Sequence, residues 1–276
     1  MLWAIVGHSI SKGTTYFVPV KLFVLGRPGS GKSEAYRQID KYIQQSHKNW
    51  SVIHFTDYEI LQEMFQFEKY FQLNEKLRKF QPREHEGFDV RDFSVLDDVL
   101  KELEKKIKFR YSEVRNEQLI VIEFARDDYG KALKLFSPNF LKDAYFLFIN
   151  SDINTCIQRV HDRVAHSTSV DDHFVSDDIL CSYYKRQRIP FKLERVDFLH
   201  SNKVQVITSR MHLINNKGSK QDFTRKINRF INSIIKHEEQ EKSSSILGEA
   251  LTQWGHNHIL VRASKLRMRA VSLLRI

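Results

Sequence analysis

One eight-residue stretch has the residue types and the spacing of a phosphate-binding loop. Residues 26–33 match G-x-x-x-x-G-K-[ST], the P-loop or Walker A pattern. The glycines allow turns with positive φ, which bring main-chain N–H groups close to phosphate oxygens. Lys32 can reach the β- and γ-phosphates of a nucleoside triphosphate, and the Ser33 hydroxyl can ligate Mg²⁺. The predicted nucleotide-binding residues are Gly26, Arg27, Pro28, Gly29, Ser30, Gly31, Lys32, Ser33 and Glu34.

The elements on either side of this loop are those that a phosphate loop requires. An apolar strand is predicted at 20–25, and a helical pattern follows the loop to about residue 45. That helix would add the positive end of its dipole to the phosphate site. A glycine-rich turn that matches by accident is the alternative, and the presence of both flanking elements argues against it.

Two carboxylates are predicted to follow strands at the edge of the sheet where the loop lies. Asp57 follows a strand at 50–55, and Glu123 ends an apolar strand at 119–123. Ligands of parallel α/β sheets bind beyond the carboxyl ends of the strands. Asp57 could accept the proton of an acceptor hydroxyl there, or it could cap the following helix. Glu123 could serve Mg²⁺, or it could form a structural ion pair with Arg126 or a lysine.

Three arginines are candidates for stabilising charge on a transferring phosphoryl group. Arg126 could clamp a phosphate or carboxylate of the acceptor, or it could simply pair with Glu123. Arg159 and Arg163 lie four residues apart on a predicted helix and therefore point the same way. With further arginines up to residue 188 they resemble a lid over the phosphates. A solvated, charged helix face is the alternative.

Hydrophobic patterning predicts an α/β fold around these residues. Five strands alternate with helices, which indicates a five-stranded parallel sheet in a three-layer α/β/α sandwich. The strands are predicted at 20–25, 50–55, 119–123, 145–149 and 204–208. A charged, helical insert follows the second strand at 60–118. Besides the strands, we predict helices at 60–80, 94–108, 176–187 and 221–236, and a loop at 81–87.

Composition and charge narrow the class of protein without selecting a partner. The 276 residues are 41% hydrophobic and 28% charged, as expected of a globular protein. Two cysteines make no disulfide framework, and no apolar run approaches the roughly 18 residues of a membrane span, so we expect a cytoplasmic protein without membrane contact. The net charge is +10, of which residues 241–276 hold +4. Nucleic acid and small polyanionic substrates would both suit this charge.

The chain resembles the P-loop kinases of the nucleoside and nucleotide kinase-like group, which includes adenylate kinase-like and zeta-toxin-like proteins. The phosphate loop is the strongest part of the resemblance. Residues 123–126 are similar to the acidic-x-x-Arg motif after the third strand of nucleotide kinases, and Asp57 falls where small-molecule kinases keep a catalytic carboxylate. Residues 157–163 look like a lid-entry helix, and residues 173–184 are similar to the segment after the lid in zeta-toxin-like kinases.

This resemblance covers about residues 20–237 and implies phosphotransfer that depends on ATP and Mg²⁺. The resemblance favours a small-molecule acceptor, a nucleoside or nucleotide, and the insert at 60–118 occupies the region that normally selects it. We predict metal ligation by Ser33 and Glu123. The predicted catalytic residues are Lys32, Asp57, Arg126, Arg159 and Arg163.

Two other functions stay open at this stage. An NTP-binding switch or ATPase that acts through a protein partner would have less use for an arginine-rich lid. A nucleic-acid-end kinase is permitted by the charge, but no basic stripe is interleaved with aromatic residues. The expected organisation is an irregular lead-in at 1–19, a kinase-like domain at 20–239 with its lid at 159–188, and a basic tail at 240–276 that begins as a linker.

Overall fold

The structure is a computed structural model that describes residues 19–72, 74–84, 87–111, 117–165, 173–187 and 210–244. The chain divides into two compact units between Asn228 and Arg229. In the second unit residues 229–244 are helical, so the linker predicted from residue 240 is wrong as far as residue 244. No helix of the described residues is long and apolar enough to cross a membrane.

A parallel sheet forms the centre of the first unit. The strands of this unit are β1 (Val20–Leu25), β2 (Trp50–Thr56), β3 (Phe80–Pro82), β4 (Phe88–Val90), β5 (Glu117–Phe124), β6 (Tyr145–Asn150) and β7 (Met211–Asn215). Five of them form the sheet in the order β2-β5-β1-β6-β7, with every neighbouring pair parallel. All six residues of β1 are buried because the strand is central and covered on both faces. The predicted five-stranded parallel α/β fold is confirmed.

The helices of the first unit lie between its strands along the chain. They are α1 (Lys32–Ser46), α2 (Asp57–Tyr70), α3 (Val95–Tyr111), α4 (Tyr129–Leu133), α5 (Pro138–Leu141), α6 (Ile153–Ala165) and α7 (Asp177–Ser182), and residues 220–228 are also helical. The four-residue repeat that predicts α3 is confirmed, because Val95, Val99, Leu103 and Ile107 are all buried. The predicted helix at 176–187 ends earlier, at Ser182.

The last strand of the sheet differs from the expectation. The strand predicted at 204–208 lies outside the described residues, whereas the fifth strand of the sheet is β7, which pairs with β6 from Phe146↔Met211 to Asn150↔Asn215. Only one residue of β7 is fully buried, and His212 and Asn215 interrupt its apolar character. An edge strand of this kind gives a weak hydrophobic signal, which explains why the pattern did not single it out.

The insert after β2 contains a β-hairpin as well as helices. The helix predicted at 60–80 is wrong beyond Tyr70, where α2 ends and Gln72 takes a positive φ of 47°. The loop predicted at 81–87 is wrong at Gln81 and Pro82, which belong to β3. β3 and β4 pair in antiparallel fashion. The buried Glu68 carboxylate of α2 accepts hydrogen bonds from the main-chain N–H groups of Lys79 and Phe80, so it fixes the hairpin to the helix.

Candidate active site

The phosphate loop joins β1 to α1, and its turns require glycine at two positions. Gly29 has a φ of +75° and Gly31 a φ of +106°, in the left-handed region that other L-residues rarely adopt. Gly31 is also the N-cap residue of α1. A Cβ atom on Gly29 would lie 2.3 Å from the carbonyl oxygen of Cys156 in α6. The loop therefore packs directly against that helix, with no space for a side chain.

Replacing Gly29 with alanine is expected to weaken ATP binding by at least about tenfold. The left-handed backbone costs an L-residue roughly 1–2 kcal/mol, and the added methyl group also collides with a main-chain oxygen that cannot rotate away. Isothermal calorimetry with Mg·ATP measures the loss. Gly218→Ala is the matched control, because a Cβ there meets only the flexible side chain of Asp222. Unchanged affinity in Gly29→Ala would contradict the role given to the turn.

A cavity of about 250 Å³ opens beyond the loop and brings most of the predicted site residues together. The loop and the start of α1 form one end of it, and the carboxyl ends of β2 and β5 form its floor. The predicted site residues that line it are Pro28, Gly29, Gly31, Lys32, Ser33, Glu34, Asp57, Glu123, Arg126, Arg159 and Arg163.

Three residues predicted to bind nucleotide are engaged in holding the loop. The N–H group of Gly26 donates a hydrogen bond to the buried hydroxyl of Tyr129. Arg27 donates to the carbonyl oxygens of Ser151, Tyr184 and Lys185. Ser30 is 1% exposed, and its carbonyl oxygen accepts a hydrogen bond from Asn216 at 2.8 Å. These hydrogen bonds hold the backbone of the loop in this conformation.

Lys32, Ser33 and Glu123 form one polar cluster at the loop end of the cavity. The Lys32 ammonium donates to the Arg27 carbonyl oxygen at 3.1 Å and lies 3.7 Å from Glu123 Oε1. Ser33 Oγ donates to the same Oε1 at 3.2 Å. Burial lowers the pKa of Lys32, and the charge of Glu123 opposes that shift. Burial alone would raise the pKa of Glu123, but the hydrogen bond with His54 and the charge of Lys32 outweigh it and lower the pKa.

His54 is a member of this cluster that sequence patterning did not reveal. Its Nε2 lies 3.2 Å from Glu123 Oε2, and the ring of Tyr36 stacks on the imidazole at 3.9 Å between centroids. His54 pairs with Val121 in the register of β2 and β5, and its side chain reaches Glu123 two residues farther along β5. The two carboxylate oxygens are thereby held by different partners, which fixes the orientation of Glu123.

Asp57 forms a buried ion pair with Arg126. The Arg126 guanidinium donates to Asp57 Oδ2 at 2.5 Å and to the carbonyl oxygens of Ala125 and Leu96. The pairing of Arg126 with Glu123 that the sequence allowed is therefore not formed. The capping role considered for Asp57 is also wrong, because the N-cap of α2 is Thr56, whose hydroxyl accepts from the Tyr58 N–H.

The electrostatic environment of Asp57 suits a proton acceptor. Burial raises the pKa of its carboxyl group above the ordinary value, and the charge of Arg126 opposes that shift without cancelling it. Lys32 and Glu123 line the same cavity as Asp57, and their charges also act on its pKa. A carboxylate with a raised pKa is a better base at neutral pH than an ordinary exposed aspartate.

Arg159 and Arg163 line the cavity from α6 but contact different parts of it. Arg159 donates to the carbonyl oxygens of Ser30 and Asn216 and to the Ser151 hydroxyl, so it braces the base of the loop. Arg163 donates to the His173 carbonyl oxygen at 2.7 Å, and its charge acts on Lys32. Their predicted role as lid arginines stays a prediction, since residues 166–172 and 188 lie outside the described residues.

The donor set at the loop end is chemically suited to Mg·ATP. A serine hydroxyl and a carboxylate within 3.2 Å of each other are the hard oxygen ligands that Mg²⁺ prefers, directly or through water. The positive end of α1 and the ammonium of Lys32 adjoin them, as a triphosphate requires. Ser33 and Glu123 would therefore hold the metal, which would neutralise charge on the β- and γ-phosphates.

The sheet order and the glycine-rich loop between β1 and α1 decide the fold. The chain has the parallel α/β fold of the P-loop NTPases. Among solved structures it is similar to a gluconokinase from Sinorhizobium meliloti 1021 (TM-score 0.46, 13% identity, 81% of this chain and 97% of that one). It is also similar to Kti12 from Chaetomium thermophilum in complex with ADP-AlF3 (TM-score 0.46, 14% identity, 78% and 98%). A third similar structure is the Mycobacterium tuberculosis APS kinase with AMPPNP and APS (TM-score 0.43, 10% identity, 78% and 98%). No family model and no curated protein matches the chain.

Proposed function

We propose that this P-loop protein is an ATP-dependent kinase that transfers the γ-phosphoryl group to the hydroxyl of a small-molecule acceptor, a nucleoside or nucleotide. One observation carries the proposal: Asp57, a buried carboxylate with a raised pKa, shares one cavity with the phosphate loop, Lys32 and Glu123. A protein that only binds or hydrolyses nucleotide does not need a proton acceptor together with room for a second substrate beside the phosphate site.

In the proposed transfer step these residues have the following roles. The O–H bond of the acceptor breaks and its proton passes to Asp57, while the acceptor oxygen forms a bond to the γ-phosphorus. The bond between that phosphorus and the β,γ-bridging oxygen breaks, and ADP leaves with the electron pair. Lys32 and the loop N–H groups stabilise the negative charge that moves onto the leaving oxygen. Arg126 holds the Asp57 carboxylate in place through its hydrogen bond.

Labelled ATP and a panel of nucleosides and nucleotides test this function directly. Formation of a labelled, phosphorylated acceptor in step with ADP release is the expected result. Lys32→Ala serves as the background control, because it removes the ammonium from the phosphate site and reveals any contaminating kinase. Release of inorganic phosphate alone, with water as the only acceptor across the panel, would contradict the proposal and would favour an ATPase.

A further inference from the structure

We infer that His54 is a positioning residue that holds Glu123 in place as a Mg²⁺ ligand, and that Tyr36 supports His54. We call His54 and Tyr36 the Glu123 support. This inference rests on the proposed function only through the Mg·ATP site, and it does not depend on the identity of the acceptor. It follows from the hydrogen bonds of the Glu123 carboxylate and from the elements that carry its partners.

The two oxygens of the Glu123 carboxylate have different partners. Oε2 lies 3.2 Å from Nε2 of His54. Oε1 accepts a hydrogen bond from Ser33 Oγ at 3.2 Å and lies 3.7 Å from the Lys32 ammonium. In a phosphate loop this serine and this lysine are the side chains that meet Mg²⁺ and the β- and γ-phosphates. Oε1 is therefore the oxygen on the metal side, and Oε2 is the oxygen by which the carboxylate is held.

His54 must be the donor in its hydrogen bond with Glu123. Burial would raise the pKa of Glu123, but the hydrogen bond with His54 is the largest of the interactions that together lower it. An ionised carboxylate only accepts hydrogen bonds, so Nε2 of His54 carries the hydrogen. This donor stabilises the charged form of Glu123, which is the form that binds a metal ion.

His54 acts from outside the cavity. Within the part of the chain that the structure describes, Ser33 and Glu123 line the cavity, and His54 and Tyr36 do not. The side chain of His54 is only 14% exposed. It can therefore affect the metal through Glu123 but not by direct ligation. Residues that hydrogen-bond a metal ligand in this way typically account for about 10- to 100-fold in metal affinity.

The strand register and the first helix place the Glu123 support on rigid elements. His54 pairs with Val121, two residues before Glu123, so both side chains project from the same face of the sheet. Ser33 and Tyr36 lie three residues apart on α1, which makes them neighbours on one helix face. The Tyr36 ring stacks on His54 with 3.9 Å between centroids and 13° between planes. α1 thus contacts one oxygen of Glu123 through Ser33 and reaches the other through Tyr36 and His54.

Two substitutions of His54 separate hydrogen bonding from packing. His54→Phe keeps a ring against Tyr36 and removes the donor, whereas His54→Gln removes the ring and keeps an N–H donor on a side chain of similar reach. If His54 positions Glu123, the phenylalanine variant should lose Mg²⁺ affinity and the glutamine variant should retain most of it. If His54 only fills space, the glutamine variant should be the more defective of the two.

Calorimetric titration of Mg²⁺ into the complex of the full-length chain with ATP, without an acceptor, measures the effect in the absence of turnover. His54→Phe is expected to weaken Mg²⁺ binding by about tenfold, while ATP affinity without Mg²⁺ stays the same. His212→Phe is the matched control, because His212 lies on β7, at the opposite edge of the sheet from β2. Thermal unfolding of each variant shows that it is folded.

A double variant tests whether His54 acts through Glu123. Both His54→Phe and Glu123→Gln disturb the same ligand, so their combination should bind Mg²⁺ no more weakly than Glu123→Gln alone. Additive losses in the double variant would overturn the inference, because they would assign His54 an effect of its own.

The remaining outcomes separate this inference from the kinase proposal. Normal Mg²⁺ affinity in His54→Phe, or a greater loss in His54→Gln than in His54→Phe, would overturn the inference and leave the kinase in place. Normal Mg²⁺ affinity in Glu123→Gln would overturn both the metal role of Glu123 and the inference. Absence of transfer to any acceptor would overturn the proposed function alone, because the Mg²⁺ affinities are measured without transfer.

Discussion

Replacing Asp57 with asparagine is expected to lower kcat for phosphoryl transfer by about 1,000-fold while ATP binding changes little. Asparagine has nearly the same shape and keeps an oxygen that can accept from Arg126, but it cannot take up a proton. The measurement is a steady-state assay with the acceptor found in the panel, together with calorimetry of Mg·ATP binding. Asp97→Asn, an exposed change on α3, is the matched control.

The dependence on pH provides a second test of Asp57. A base works only when ionised, so kcat/KM should rise as the pH rises through the pKa of Asp57. Burial raises that pKa above its ordinary value of 3.8, so the loss of activity on the acid side should begin at a higher pH than for an exposed aspartate. This acid limb should be absent from the residual activity of Asp57→Asn. An unchanged limb in the variant would assign it to another group.

The substitution also leaves the buried Arg126 without its counter-charge, so stability has to be measured in parallel. Removing one partner of a buried ion pair typically costs roughly 3–5 kcal/mol. Thermal unfolding of Asp57→Asn identifies any such loss, and retained ATP affinity shows that the phosphate loop is intact. If the Asp57→Asn variant is folded, binds ATP and transfers phosphate at the normal rate, Asp57 is not the proton acceptor.

Replacing Glu123 with glutamine is expected to raise the Mg²⁺ concentration required for half-maximal activity by about 10- to 100-fold. The carboxylate has its pKa lowered and is therefore ionised at neutral pH, whereas the amide carries no charge and is a poorer metal ligand. Titration with Mg²⁺ at fixed ATP measures the shift. Calorimetry of ATP binding with and without Mg²⁺ gives a readout that does not depend on turnover.

The two variants should respond differently to excess metal, and this difference separates their roles. Added Mg²⁺ should recover part of the activity of Glu123→Gln, because the defect lies in metal affinity, but none of the activity of Asp57→Asn. Glu117→Gln, at the opposite end of the same strand, should behave like the unmodified protein. Glu123→Gln with a normal Mg²⁺ requirement would show that Glu123 is structural.

The loop and the carboxylates at the strand ends could be predicted because their signals are local. The pattern at 26–33 contains the glycines, the lysine and the serine within eight residues, and a carboxylate that follows a strand in a parallel sheet must lie at the ligand edge. Neither inference requires knowledge of which strands are neighbours. The central strands of the sheet were likewise predictable, because they are continuously apolar.

Contacts that depend on strand register could not be predicted in this way. His54 meets Glu123 because β2 lies beside β5, and Asp57 meets Arg126 for the same reason, although 69 residues separate each pair along the chain. The sequence offered Glu123 as the partner of Arg126 because that residue is closer in the chain. β7 and the β3–β4 hairpin were missed because short or half-exposed strands carry little periodicity.

The hydrogen bonds of Arg27 connect the phosphate loop to the chain segment after α7, so they could couple the binding of two substrates. Arg27 belongs to the phosphate loop, yet it donates to the carbonyl oxygens of Tyr184 and Lys185, which follow α7, while Phe174 and Val175 just before α7 line the cavity. If a nucleotide tightens the loop on binding, these hydrogen bonds transmit the change to the residues that follow α7. Thermodynamic linkage then requires reciprocity: the factor by which ATP changes affinity for the second substrate equals the factor by which that substrate changes affinity for ATP.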